Sequence, residues 1–237
     1  MNYFCDSLRA IFIKDIVAEF RSRQVLPTMV VLGMLIVWVM RIVSEAASVS
    51  AEIMAPAVLW IAFLFSGLLA QERSFAAEEQ EDCIAGLLLA PIDVGTIYLA
   101  KLLVNILMLC VFEAIIVPVV LLAFGIAVPD RWPALIGVLL LGNVGISSVG
   151  TLFSAMVQLS RVRGALLSIL VLVILLPMMI PATFGLLLLF GAIPAELTGT
   201  GALSMVGSFK TAVGYMIAFD TLFTVACWLL FGFVVGQ

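Results

Sequence analysis

The side chains that could do chemistry fall into three groups. The first is acidic. Glu72, Glu78, Glu79, Glu81 and Asp82 gather in residues 71–101, the one long polar interruption of an otherwise apolar sequence. On a helix starting near Ser74, Glu78 and Asp82 stand four apart and share a face with Glu81. Like charges at that spacing repel and weaken an isolated helix. A basic partner surface would explain them, and so would a solvated loop helix. Pro91 disfavours helical geometry at Ala90 and cannot continue an earlier helix, so a short helix over 74–90 should end there. The second group is Glu113 and Asp220, which lie inside apolar runs. Counted at ~1.5 Å per residue, each is about 15 Å from the end of its run. An ionisable group at that depth costs at least ~2.5 kcal/mol by insertion scales, so it faces protein and is either functional or paired. No Lys or Arg occurs at matching depth. That leaves a protonated state, a polar neighbour such as Asn105 or Asn143, or a subunit interface. A proton or substrate role and a hydrogen-bonded packing role both fit. The third group is Arg161 and Arg163, in a short connector.

Catalytic machinery is missing. There is no GxxxxGK[ST] phosphate loop, no histidine and no cluster with metal-ligand spacing. Cys5, Cys83, Cys110 and Cys227 form no CxxC pair, which supports neither a disulfide framework nor a zinc site. The expectation is a non-catalytic chain with no metal and no nucleic-acid partner. Energy for any work would come from an ion gradient or from a separate ATPase.

The elements that must position these groups are membrane helices. The 237 residues are 65% hydrophobic and 11% charged, with a mean hydropathy of +1.31, whereas a soluble domain is about a quarter charged. The fold class is therefore an all-α integral membrane protein, a single transmembrane domain over 1–237. The N-terminus does not read as a cleaved secretory signal: charges persist to Arg23 and no small-residue cleavage site follows. In residues 3–23, Phe4, Leu8, Ile11, Phe12, Ile16 and Phe20 recur three and four apart, with Asp6, Arg9, Lys14, Asp15, Glu19, Arg21 and Arg23 between them. That pattern predicts an amphipathic helix lying in the interface. Six spans follow, at about 26–43, 53–70, 96–124, 132–157, 165–190 and 211–235, since ~20 apolar residues cross ~30 Å of hydrocarbon. The third is long enough to need a tilt or a kink near Pro118. The fourth carries Gly142, Gly145, Ser147, Ser148 and Gly150, which permit close helix approach. The fifth is interrupted by Pro177 and Pro181; these, followed by Gly191, Pro194, Gly199 and Gly201, predict a break near its end, with a re-entrant or interfacial piece before Lys210. With the N-terminus in the cytoplasm, Arg9, Lys14, Arg21, Arg23, Arg73, Lys101, Arg161 and Arg163 fall on that side. Only Arg41, Arg131 and Lys210 fall on the other. The positive-inside rule then places both termini, and the acidic stretch, in the cytoplasm.

Several stretches in combination resemble a known family. Glu72-Arg73-Ser74-Phe75, Leu87-Leu88-Leu89-Ala90-Pro91 and Ala100-Lys101 are similar to the segment after the second span in permeases of the ABC-2 exporter type. Ala55-Pro56 with Trp60, Arg161-Val162-Arg163-Gly164, and the run 166–172 narrow the resemblance to the haem exporter protein B family of cytochrome c maturation. The resemblance runs from Ala55 to Pro181. It implies a type V exporter-like fold, with an interfacial helix, six spans and a coupling helix at 74–90. It also implies a second copy of the chain, a cytoplasmic ATPase subunit that binds ATP and Mg, a haem-handling membrane subunit and a periplasmic haem chaperone. This chain would bind no cofactor itself; the complex would handle haem. Glu72, Arg73, Phe75, Glu78, Glu79, Glu81, Asp82 and Pro91 would couple the ATPase to the spans, and Arg161 and Arg163 would support a second cytoplasmic contact. The setting implied is the bacterial inner membrane. Export of another substrate, a lipid or a drug, by a related permease is one alternative. An ion-coupled carrier using Glu113 and Asp220 is another.

Overall fold

The computed structural model describes residues 2–22, 24–80, 94–159, 164–192 and 208–235. Among them there are seven helices and no strands: α1 (Asn2–Ser22), α2 (Val25–Ala46), α3 (Ala51–Gln80), α4 (Val94–Phe124), α5 (Trp132–Leu159), α6 (Gly164–Leu189) and α7 (Phe209–Val235). All but α1 are long and apolar enough to cross a bilayer, as expected for an all-α membrane protein.

The middle of the bundle is α5, which packs against α3, α4, α6 and α7. Its span is 72% buried, against 22% for α2 and α7, which face outward. The small residues of α5 make this possible. Trp60 of α3 lies against Gly142, Met178 of α6 against Gly145, and the Gln71 side chain against Gly150. A side chain at any of the three would hold its neighbour away. The main core continues through edge-to-face contacts from Trp60 to Phe63 (5.7 Å) and from Phe63 to Phe112 of α4 (5.8 Å). A second core joins α1 to α4, α5 and α7 around Ile11, Tyr98, Leu152, Cys227 and Phe231.

Three helices, α2, α4 and α6, end at the end of the bundle opposite α1, and each stops in the same way. Gly125 and Gly191 take φ of +66° and +72°. Ile126 N–H then bonds Leu121 O (2.9 Å) and Ala192 N–H bonds Leu187 O (3.0 Å), which is the Schellman closure. After α2 the same closure uses Ser48 at φ +54°, with Val49 N–H on Ser44 O at 3.1 Å. There Arg41 bonds Glu45 at 2.6 Å and lies over the Phe124 ring.

Two local expectations are corrected. Pro177 and Pro181 do not interrupt the fifth span: α6 runs through both and stops at Gly191, one of the expected breakers, while the expected re-entrant or interfacial piece falls on 193–207, outside the described residues. Inside a bundle, neighbouring groups re-satisfy the backbone that a proline frees. Nor does the polar stretch start with a new helix at Ser74. α3 leaves the span and continues unbroken to Gln80. The remainder of the expected 74–90 helix lies outside the described residues.

Candidate functional site

At the α1 end, α3 delivers the acidic stretch. Gln71, 1% exposed, is the last described side chain of that helix. It is wedged against Gly150 and reaches Ile146 O of α5 at 3.5 Å. Glu72, Arg73, Phe75, Glu78 and Glu79 follow on the same helix, their side chains outside the described residues, as are Glu81, Asp82, Pro91, Arg161 and Arg163 altogether.

At the same end of the bundle stands an ion pair that the pattern of the sequence did not announce. α4 is 31 residues long, or about 46 Å at 1.5 Å per residue. Its first turns therefore extend beyond ~30 Å of hydrocarbon, and α1 packs along them. Lys101 Nζ reaches Asp15 Oδ2 at 3.2 Å, with both side chains buried, and Lys14 Nζ reaches Asp15 Oδ1 at 3.0 Å. Glu19, one turn beyond Asp15, is half-buried. Burial pushes its carboxyl above the ordinary range, Lys101 pulls it back, and Asp15 raises it further. Glu19, Gln71 and Asn105 line a small cavity with Met29 and Gly67, of about 10 Å3, close to the least volume a single water needs. The available signals were Lys101, an ionisable group inside a span, and Asp15, four residues beyond Ile11 on the stripe that turns inward.

Deeper, the intramembrane polar groups separate into two places. Asn105 Nδ2 bonds Thr151 Oγ1 (2.8 Å), and Tyr98 OH donates to Ser148 O (3.1 Å), stitching α4 to α5. Glu113 of α4, 8% exposed, lies beside Asn143 and Cys110, whose Sγ accepts from Asn143 Nδ2 at 3.7 Å. Asp220 of α7, 6% exposed, sits instead against Gly145 and Met178. Residues 143 and 145 point to opposite sides of a helix, so the two acids do not form one site. Of the expected polar neighbours, Asn143 serves Glu113, while Asn105 is committed to Thr151. Glu113 Oε1, Asn143 Oδ1 and both Asp220 carboxyl oxygens have no hydrogen-bond partner among the described residues.

These are features of a helical membrane protein with a polar seam between α4 and α5 and an acid-bearing extension of α3. Heme exporter protein B of Haemophilus influenzae is 31% identical over 129 residues, covering 54% of this chain and 58% of that protein. The chain thus matches little more than half the length of that relative. The family model of the CcmB protein matches residues 6–221, from α1 into α7 across the intervening spans. With most of its length accounted for in this way, the chain belongs to the CcmB family.

Proposed function

We propose that this chain is the permease subunit of an ABC transporter complex acting in cytochrome c biogenesis in a bacterial inner membrane. It is not itself an enzyme: a separate cytoplasmic subunit binds ATP and Mg, and this chain carries the movement into the membrane. The outcome is haem delivery and release of the haem-loaded periplasmic chaperone, with a second copy of the chain and a haem-handling membrane subunit in the assembly. The observation that carries this reading is the family match over residues 6–221, supported by a relative whose name is heme exporter protein B.

The physical part of the reading is a lever. Because α3 is one continuous helix from its span to Gln80, a push on Glu72, Arg73, Phe75, Glu78 or Glu79 is carried directly into the span. Glu81, Asp82 and Pro91 continue the docking segment, and Arg161 and Arg163 give a second contact. The test is affinity purification in mild detergent, with partners identified by mass and haem by its absorbance. An ATPase subunit should co-purify, and Glu78→Lys with Asp82→Lys should lower both its recovery and its ATP hydrolysis. An intact chain that never captures an ATPase overturns the reading.

One observation favours a second reading. Glu113 and Asp220 hold carboxyl oxygens in the membrane interior without hydrogen-bond partners among the described residues, as an ion-coupled carrier would. Transport that continues without any ATPase but stops on Asp220→Asn would select it.

A further inference from the structure

Between the first halves of α5 and α7, at the end opposite α1, lies an apolar groove that the proposed coupling does not use. Ala134, Gly137, Leu141 and Val144 line it from α5, and Phe209 and Val213 from α7, around a volume of about 430 Å3. Small residues open it: a Cβ placed on Gly137 would meet nothing within 4 Å. Further along, the same helices close together where Asp220 meets Gly145. From Ala134 to Val144 the helix rises about 15 Å, half of a ~30 Å hydrocarbon core. The groove is as long as one leaflet. A helix of that length and ~10–12 Å across fills on the order of 1,000 Å3, more than the groove holds, and the groove's volume suits a single flexible chain.

The mouth of the groove is polar. A smaller recess of about 230 Å3, lined by Asp130, Arg131 and Leu189, shares Phe209 with it. Arg131 is exposed, as is Lys210, which follows Phe209 in the first turn of α7. Neither is in an ion pair among the described residues. Among the described residues, only the carboxylate of Asp130 stands against these two cations at the mouth. α5 and α7 both begin here, and helix N-termini favour an anion. Trp132, 57% exposed, stands next to Arg131, at the level where tryptophan gathers at a membrane interface.

We propose that the groove and recess form one phospholipid site, with an acyl chain between α5 and α7 and an anionic headgroup held by Arg131 and Lys210. Charge, length and volume each fit that occupant.

The test uses the full chain, delipidated in mild detergent and supplied with phosphatidylglycerol or phosphatidylcholine, and native mass spectrometry to count the lipids retained. One tightly held phosphatidylglycerol is expected, preferred about tenfold over phosphatidylcholine. Gly137→Phe fills the groove and should lower retention of both lipids at least tenfold. Val213→Trp, from the opposite wall, should do the same and guards against misfolding of the first variant. Arg131→Gln with Lys210→Gln should abolish the preference while leaving phosphatidylcholine bound. Retention unchanged by both groove-filling variants overturns the proposal, as does a lipid preference unchanged by loss of the two cations. A Gly137→Cys variant that cross-links to a second copy in the membrane also overturns it, because the groove would then be an interface between copies.

Discussion

At the scale of single residues, the contact between Asp15 and Lys101 tells most about the chain. The two are 86 positions apart and buried together. Losing one partner of a buried pair costs about 3–5 kcal/mol, whereas replacing both partners with apolar residues is often neutral; Glu19, which also acts on Lys101, takes up part of that cost here. Asp15→Asn should therefore lower stability by several kcal/mol, while Asp15→Leu with Lys101→Met should recover most of the loss. Denaturant titration in detergent measures both, and equal stability of the single and double variants would sink the idea. Glu19 supplies a pH signature. Burial raises its carboxyl from the ordinary 4.5, so the folded chain binds this proton more readily than the unfolded one. Its contribution to stability is complete below about pH 4.5 and is lost as pH rises through the raised value. Glu19→Gln should flatten that decline in a series of melting temperatures upward from pH 4; an unchanged slope would show that Glu19 is not its source. Part of this was legible. An ionisable residue inside a span demands a partner, and Glu113 accordingly faces protein. What local periodicity could not supply is which partner, because the pairing depends on how α1 docks along α4.

At the scale of elements, the glycines of α5 decide how closely the bundle packs. A methyl on Gly142 would meet the rigid ring of Trp60, and one on Gly145 would meet Met178 and the Asp220 carboxyl. Overpacking of this kind costs about 1–3 kcal/mol, more than the ~1 kcal/mol that alanine gains over glycine in a helix. Gly142→Ala and Gly145→Ala should therefore destabilise, while Gly137→Ala, which meets nothing, should be neutral or slightly stabilising. Thermal unfolding of the three in one detergent checks this, and equal melting temperatures would mean that close approach at α5 is not what holds the bundle. The string from Gly142 to Gly150 could be read from the sequence because small residues in a span have few other uses. The prolines misled. Pro177 and Pro181 look like a break, yet α6 continues through them to Gly191, since the interior of a bundle tolerates what an isolated helix does not. The continuation of α3 to Gln80 escaped notice for a related reason: a change from apolar to acidic composition marks the edge of the lipid, not the end of a helix.

At the scale of the whole molecule, the six candidate spans and the distribution of charge test one another. Six crossings bring the chain back to the side on which it started, so the α3–α4 and α5–α6 connections share a side with α1. Of the described cations, Arg9, Lys14, Arg21 and Lys101 stand at that end, and Arg41, Arg131 and Lys210 at the other. Adding Arg23, Arg73, Arg161 and Arg163 from the sequence makes the bias steep, and on the positive-inside rule we propose that the α1 end faces the cytoplasm. Exposed residues at each end allow a direct measurement: Cys5 on α1, and Val128 between α4 and α5. In a chain otherwise free of cysteine, Val128→Cys should react with an impermeant maleimide applied from outside the inner membrane. Cys5 should react only after the membrane is breached. The reverse pattern would do more than invert the drawing. It would put the acidic extension of α3 on the side that holds no ATP, and with it would go the proposal that this helix is driven by a cytoplasmic ATPase.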